Sequence, residues 1–119
     1  MKIGIPTLGN SGLHEKVSPH FGRAPTFTII DTKTGEVNAV PNTSEHGSGS
    51  GKPPEQLAKA GARVMLCSNL GPRAITMFEQ NGVEVFVGAK NTVRETIDLW
   101  KAGKLQEATN KNACKRHRH

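Results

Sequence analysis

The chain has 119 residues, 34% of them hydrophobic and 4% aromatic, with 13 glycines and a formal charge of +6. That length supports one hydrophobic core and is short for two, and the clustering of apolar residues into periodic runs excludes a disordered chain. Four of the cations, Lys111, Lys115, Arg116 and Arg118, lie in the last nine residues, which leaves about +2 for the body, so no nucleic-acid partner is expected.

No stretch approaches the roughly 20 apolar residues of a membrane span, and Met1-Lys2-Ile3-Gly4-Ile5 opens without a secretory apolar region. Cytoplasmic localisation with reduced thiols at Cys67 and Cys114 is the expectation. Residues 1–108 are expected to form a single domain, and 109–119 a flexible basic tail carrying Cys and His.

Lys2 to Thr7 reads as a strand that enters a long loop through Gly9-Asn10-Ser11-Gly12. The loop carries His14 and then the densest stretch of the chain, Val17-Ser18-Pro19-His20-Phe21-Gly22-Arg23-Ala24-Pro25. Its two prolines restrain the backbone while His20 and Arg23 stay free for polar work. Thr26 to Asp31 is β-branched and alternating, Thr32-Lys33-Thr34-Gly35 is a turn, and Glu36 to Val40 returns as a third strand. His46 and Gly47-Ser48-Gly49-Ser50-Gly51 read as a mobile loop.

Pro53-Pro54 fits a helix start, with Leu57, Ala58 and Ala60 as its apolar side and Gly61 as its stop. Ala62 to Cys67 is hydrophobic without alternation, as a strand buried on both faces should be. A helix opens at Gly71-Pro72, with Ile75 and Phe78 on one face and Gly82 closing it, and Val83 to Val87 is the fifth strand. Thr92-Val93-Arg94-Glu95 matches a capping box, followed by Val93, Ile97 and Trp100 at helical spacing.

The order β-β-β-α-β-α-β-α predicts an α/β fold with one five-stranded mixed sheet flanked by three helices. Strands one, three, four and five would then end on the same rim. That rim gathers the loops of Gly9 to Phe21, His46, Cys67 to Gly71 and Gly88 to Asn91, where ligands of open α/β sheets bind.

His20 is the sharpest candidate there, because a neutral imidazole can ligate iron or another transition metal. Its rival role is a hydrogen bond to the loop backbone. Cys67 could add a soft thiolate or be a small core residue. Two cysteines cannot build a four-cysteine cluster site, and no Cys-x-x-Cys pair is present for structural zinc. A cluster held by so few ligands points to a carrier that releases its cargo. Arg23, Arg73, the amides after Gly71 and Asn91 could offset negative charge on it. In the tail, Cys114, His117 and His119 could chelate a divalent transition metal or be incidental to a basic end.

Other chemistries fit less well. The stretch His46 to Pro53 lacks the glycine and the Ser or Thr of a phosphate loop, and the first strand has no carboxylate for a two-metal nuclease. A Cys67 nucleophile with His20 would have no third, orienting group.

The stretch Val17 to Pro25, a strand ending at Asp31, His46 with Gly47 and Gly49, then Leu70-Gly71-Pro72-Arg73-Ala74 and Gly82-Val83-Glu84-Val85, together resemble one family. This is the dinitrogenase iron-molybdenum cofactor biosynthesis family, the group of the NifX and NafY type proteins and the C-terminal domain of NifB. The resemblance covers roughly residues 1 to 108. It implies a ribonuclease H-like three-layer fold without nuclease or other enzymatic activity. It further implies binding or carriage of an iron-sulfur or iron-molybdenum type cluster. Metallocofactor assembly proteins are the expected partners, and a monomer or weak homodimer the expected state. The expected cargo site is His20, Arg23, His46, Cys67, Asn69, Gly71 and Asn91. A regulatory or interaction domain of the same fold that binds no cluster is the alternative, as is metal handling by the tail.

Overall fold

The computed structural model describes residues 1–42 and 53–108. Its strands are β1 (Lys2–Thr7), β2 (Thr26–Asp31), β3 (Val37–Pro41), β4 (Ala62–Cys67), β5 (Glu84–Val87) and β6 (Gln106–Glu107). Its helices are α1 (Pro53–Lys59), α2 (Pro72–Gln80) and α3 (Val93–Lys101), with a short 3-10 turn at Gly12–His14. The strands form one mixed sheet in the order β3-β2-β1-β4-β5-β6. β1, β4 and β5 are parallel, and β2, β3 and β6 join by antiparallel pairing.

The period-two alternation of strand side chains divides the core between the two faces of this sheet. Phe27, Ile29, Met65, Cys67 and Val85 point to one face and are covered by Leu57 of α1 and Phe78 of α2. Ile3, Ile5, Ile30, Val64 and Leu66 point to the other and are covered by Val93 and Ile97 of α3. β4 is buried on both faces except at Arg63, which is why its sequence shows no alternation. Gly4 leaves room for Leu57 of α1, whose Cδ2 a Cβ there would meet at 2.9 Å and have to displace.

The expected α/β architecture, mixed sheet and three helices are present, but the sheet has six strands rather than the five of the ribonuclease H-like expectation. The sixth is contributed by tertiary pairing. After α3 the chain turns at Gly103, whose φ is 71°, and lays Gln106 and Glu107 antiparallel against Val87 and Phe86, with the Ala108 amide on the Val85 carbonyl at 2.8 Å. This covers the free edge of β5. The Thr92 cap also differs in one detail. Thr92 Oγ1 accepts from the Glu95 amide at 3.2 Å as predicted, but the Glu95 carboxylate accepts from the Thr92 hydroxyl at 3.1 Å. Its other oxygen takes the Asn91 side-chain amide at 3.3 Å.

No helix among the described residues is long and apolar enough to cross a membrane.

Candidate functional site

The dense loop is fixed to the ends of the central strands. Val17 pairs with Thr7 at the end of β1, its amide donates to the Asn91 carbonyl at 2.9 Å, and the Ser18 amide donates to the Pro6 carbonyl at 2.8 Å. The chain therefore enters the loop wedged between the end of β1 and the turn after β5. Buried Ser18 then pins the next residues, its hydroxyl donating to the His20 carbonyl at 2.9 Å and accepting from the His20 amide at 3.2 Å. At the far end the Asn42 side-chain amide donates to the Ala24 carbonyl at 2.8 Å.

Phe21 anchors the middle. It turns inward against Phe27 at 5.5 Å and edge-on to Phe78 at 5.3 Å between ring centroids, joining the loop to the core beneath α2. With Phe21 pointing in, its neighbours His20, Gly22 and Arg23 are exposed. Among the described residues the His20 imidazole makes no hydrogen bond, so the rival role of bonding to the backbone is not the one adopted. The backbone of His20, not its ring, is tied down.

His20, Arg23, Asn69 and Gly71 meet around one hollow of about 450 Å3, with Pro19, Phe21, Gly22, Leu70 and Ala74 completing its wall. Asn69 uses its Oδ1 on the Leu70 amide at 2.9 Å. α2 starts at this wall with Gly71 at the N-cap and no side chain capping it, so its first-turn amides and positive dipole end face the hollow. Neither Gly22 nor Gly71 has a positive φ, and a Cβ at either would meet nothing within 4 Å. Their lack of a side chain keeps the hollow open.

Asn91 is not part of this group. It lines an adjoining hollow of about 710 Å3 that shares Pro19 with the first. There it holds a left-handed φ of 64°, and its side-chain amide is engaged by Glu95. Lys16, Lys90 and the half-exposed Leu8 line this second hollow, and the sequence offered no motif to single them out.

Of the two roles expected for Cys67, a thiolate at the mouth or a small core residue, it takes the second. It is 1% exposed, packed in the core on the α1 and α2 face. Burial pushes its thiol up to about 12, with the Asn69 amide drawing it slightly down. The β4 end is closed over it by the Ala89 amide on the Cys67 carbonyl at 3.0 Å and the Ser68 hydroxyl on the Ala89 carbonyl at 2.9 Å. His46, Cys114, His117 and His119 lie outside the described residues. Among the described residues no group of three or more His, Cys, Asp and Glu is placed to hold a metal ion. The donor set at the hollow is thus one imidazole ringed by positive or amide groups, which fits a loosely held anion better than a permanent metal centre.

Ser18 supports this geometry through two bonds to one residue. Ser18→Ala is expected to cost about 1 kcal/mol, since solvent can replace the partners of exposed His20. A urea midpoint that falls with an unchanged denaturant slope would report it.

A protein of Methanocaldococcus jannaschii with no described function is 33% identical over 112 residues, covering 90% of this chain and 91% of its own. Among solved structures, a Thermotoga protein provisionally assigned as NifB matches with a TM-score of 0.78 and 35% identity over 92% of this chain and 94% of its own. The apo form of the orange protein from Desulfovibrio gigas matches with a TM-score of 0.78 and 32% identity over 90% and 92%. With the family model for the dinitrogenase iron-molybdenum cofactor matching residues 1–103, which include the whole loop and hollow, this chain belongs to that family.

Proposed function

We propose that the protein is a non-enzymatic carrier of an anionic iron-sulfur or iron-molybdenum type cluster, which it receives from and passes to metallocofactor assembly proteins. The observation that carries this reading is the unengaged His20 imidazole on the same hollow as Arg23, Asn69 and the uncapped start of α2. His20 supplies the one ligand bond. Arg23, the α2 amides and the Asn69 side-chain amide offset the negative charge, and the open faces of Gly22 and Gly71 leave room for a polyatomic cargo. One ligand bond holds a cluster less firmly than four thiolates do, which suits a protein that must release it.

Anaerobic reconstitution of the full chain with iron and sulfide, followed by visible absorption, tests the reading. His20→Ala is expected to lose most of the bound cluster and Arg23→Gln to retain it with weaker affinity. Equal uptake by wild type and His20→Ala removes His20 from the site. Loss of uptake only on truncation after Lys111 assigns metal handling to Cys114, His117 and His119. A protein that stays colourless and metal-free throughout supports the interaction-domain alternative.

A further inference from the structure

A third cavity, of about 220 Å3, lies on the α3 face of the sheet, in the groove between α3 and the β2–β3 hairpin. It shares no residue with either hollow of the rim. Its floor is aliphatic, with Ile30 and Ile97 buried and Leu13 and Val37 packed partly exposed against the same core.

Four charged groups line it. The Asp31 carboxylate is committed to its own turn, accepting from the Lys33 amide at 2.9 Å and the Thr34 amide at 3.4 Å, and these bonds hold its pKa below the ordinary value. Arg94, Asp98 and Lys101 follow one another along a single face of α3. A solvated helix face with this spacing would pair Arg94 with Asp98. Among the described residues, however, none of the three makes an ion pair or a side-chain hydrogen bond. The two cations balance the two carboxylates in formal charge, but Asp31 is held by its own turn, so Arg94 and Lys101, among the described residues, stand without a partner at the mouth, over an apolar floor. A guanidinium fork matches a carboxylate through two parallel hydrogen bonds. An apolar cavity of about 150 Å3 accommodates benzene, so this one has room for a tail of about five carbons.

We propose that this groove binds a small monocarboxylate with a branched aliphatic tail. The carboxylate sits on Arg94 and Lys101, and the tail lies on Leu13, Ile30, Val37 and Ile97. Asp98, one turn from Arg94, accepts from an α-ammonium group when the ligand is a free amino acid. The proposal is independent of cluster carriage.

The test is a titration of the full chain with 4-methylpentanoate, L-leucine and 4-methylpentan-1-ol, followed through the methyl resonances of Leu13, Ile30 and Ile97. Both acids are expected to give saturable shifts, and the alcohol to bind about tenfold more weakly or worse. Arg94→Gln, an exposed change that leaves the methyl spectrum otherwise native, should weaken both acids about tenfold. Tighter binding of leucine that is lost in Asp98→Asn supports the site with an amino acid as its ligand. Tighter binding of 4-methylpentanoate supports it with a simple carboxylate. Absence of saturable shifts with both acids, equal binding of the alcohol, or an unaltered affinity in Arg94→Gln overturns it.

Discussion

Phe21→Ala is expected to destabilise the protein by about 3–5 kcal/mol, the range for truncating a buried aromatic residue. Phe21 is 9% exposed and packs tilted against Phe27 and edge-on to Phe78, so its removal forfeits buried area, two aromatic contacts and the packing of a loop against α2. For a domain whose total stability lies in the usual range of about 5–15 kcal/mol, that is a large fraction. Urea unfolding followed by the fluorescence of Trp100, the single tryptophan, measures it. Phe21→Leu preserves most of the volume and should cost about 1–2 kcal/mol. The functional consequence follows from position. His20 and Gly22 flank Phe21 and line the hollow, so Phe21→Ala should also hold less cluster per folded molecule. A loss below about 1 kcal/mol would mean that the loop is not anchored through this ring.

The same ring marks where the sequence could and could not be read. The bounds of β1, β2 and β4, the stops at Gly61, Gly82 and Gly103 and the Thr92 cap follow from local signals: β-branched runs, a residue type suited to positive φ, and a hydroxyl three residues before a carboxylate. The convergence of the loops also follows, because parallel strands must end together. β6 does not, since Gln106 and Glu107 have no strand propensity of their own and pair only because β5 offers an edge. The 3-10 turn at Gly12–His14 lies inside what reads as plain loop.

At the site, the grouping of His20, Arg23, Asn69 and Gly71 was legible because they flank the same strand ends. The separation of Asn91 was not, since it depends on Pro19 standing between two hollows and on Glu95 reaching back to the Asn91 amide. Of the two roles open to Cys67, mouth thiolate and small core residue, the strand itself favours the second. Met65 and Cys67 share a face of a strand buried on both sides, and burial continues to the last residue of that strand. A strand end is exposed only if the following loop leaves it, and here Ser68 and Ala89 fold back over it.

Raising the pH should destabilise the protein through Cys67. Its thiol has an ordinary value of 9.0 and is pushed up to about 12 by burial. Below pH 9 it is protonated in both states and contributes nothing to the pH dependence. Between about pH 9 and 12 the unfolded chain releases the proton while the folded chain holds it, so stability falls as pH rises through that window. Three units correspond to about 4 kcal/mol over the full window, and to roughly 2.5–3 kcal/mol by about pH 11. The chain has no tyrosine, so the other side chains titrating there are the lysines and Cys114. Placing wild type and Cys67→Ala both in a Cys114→Ser background removes the second thiol, and comparing their urea midpoints between about pH 8 and pH 11 cancels the lysines. The expected result is that wild type loses the extra stability and Cys67→Ala does not. A Cys67 thiol that instead titrates near 9, with no difference between the two slopes, would place it in contact with solvent at the end of β4. The thiol would then be open to a metal, and the carrier proposed above would have to be retested for a second ligand bond, which would make its cargo harder to release.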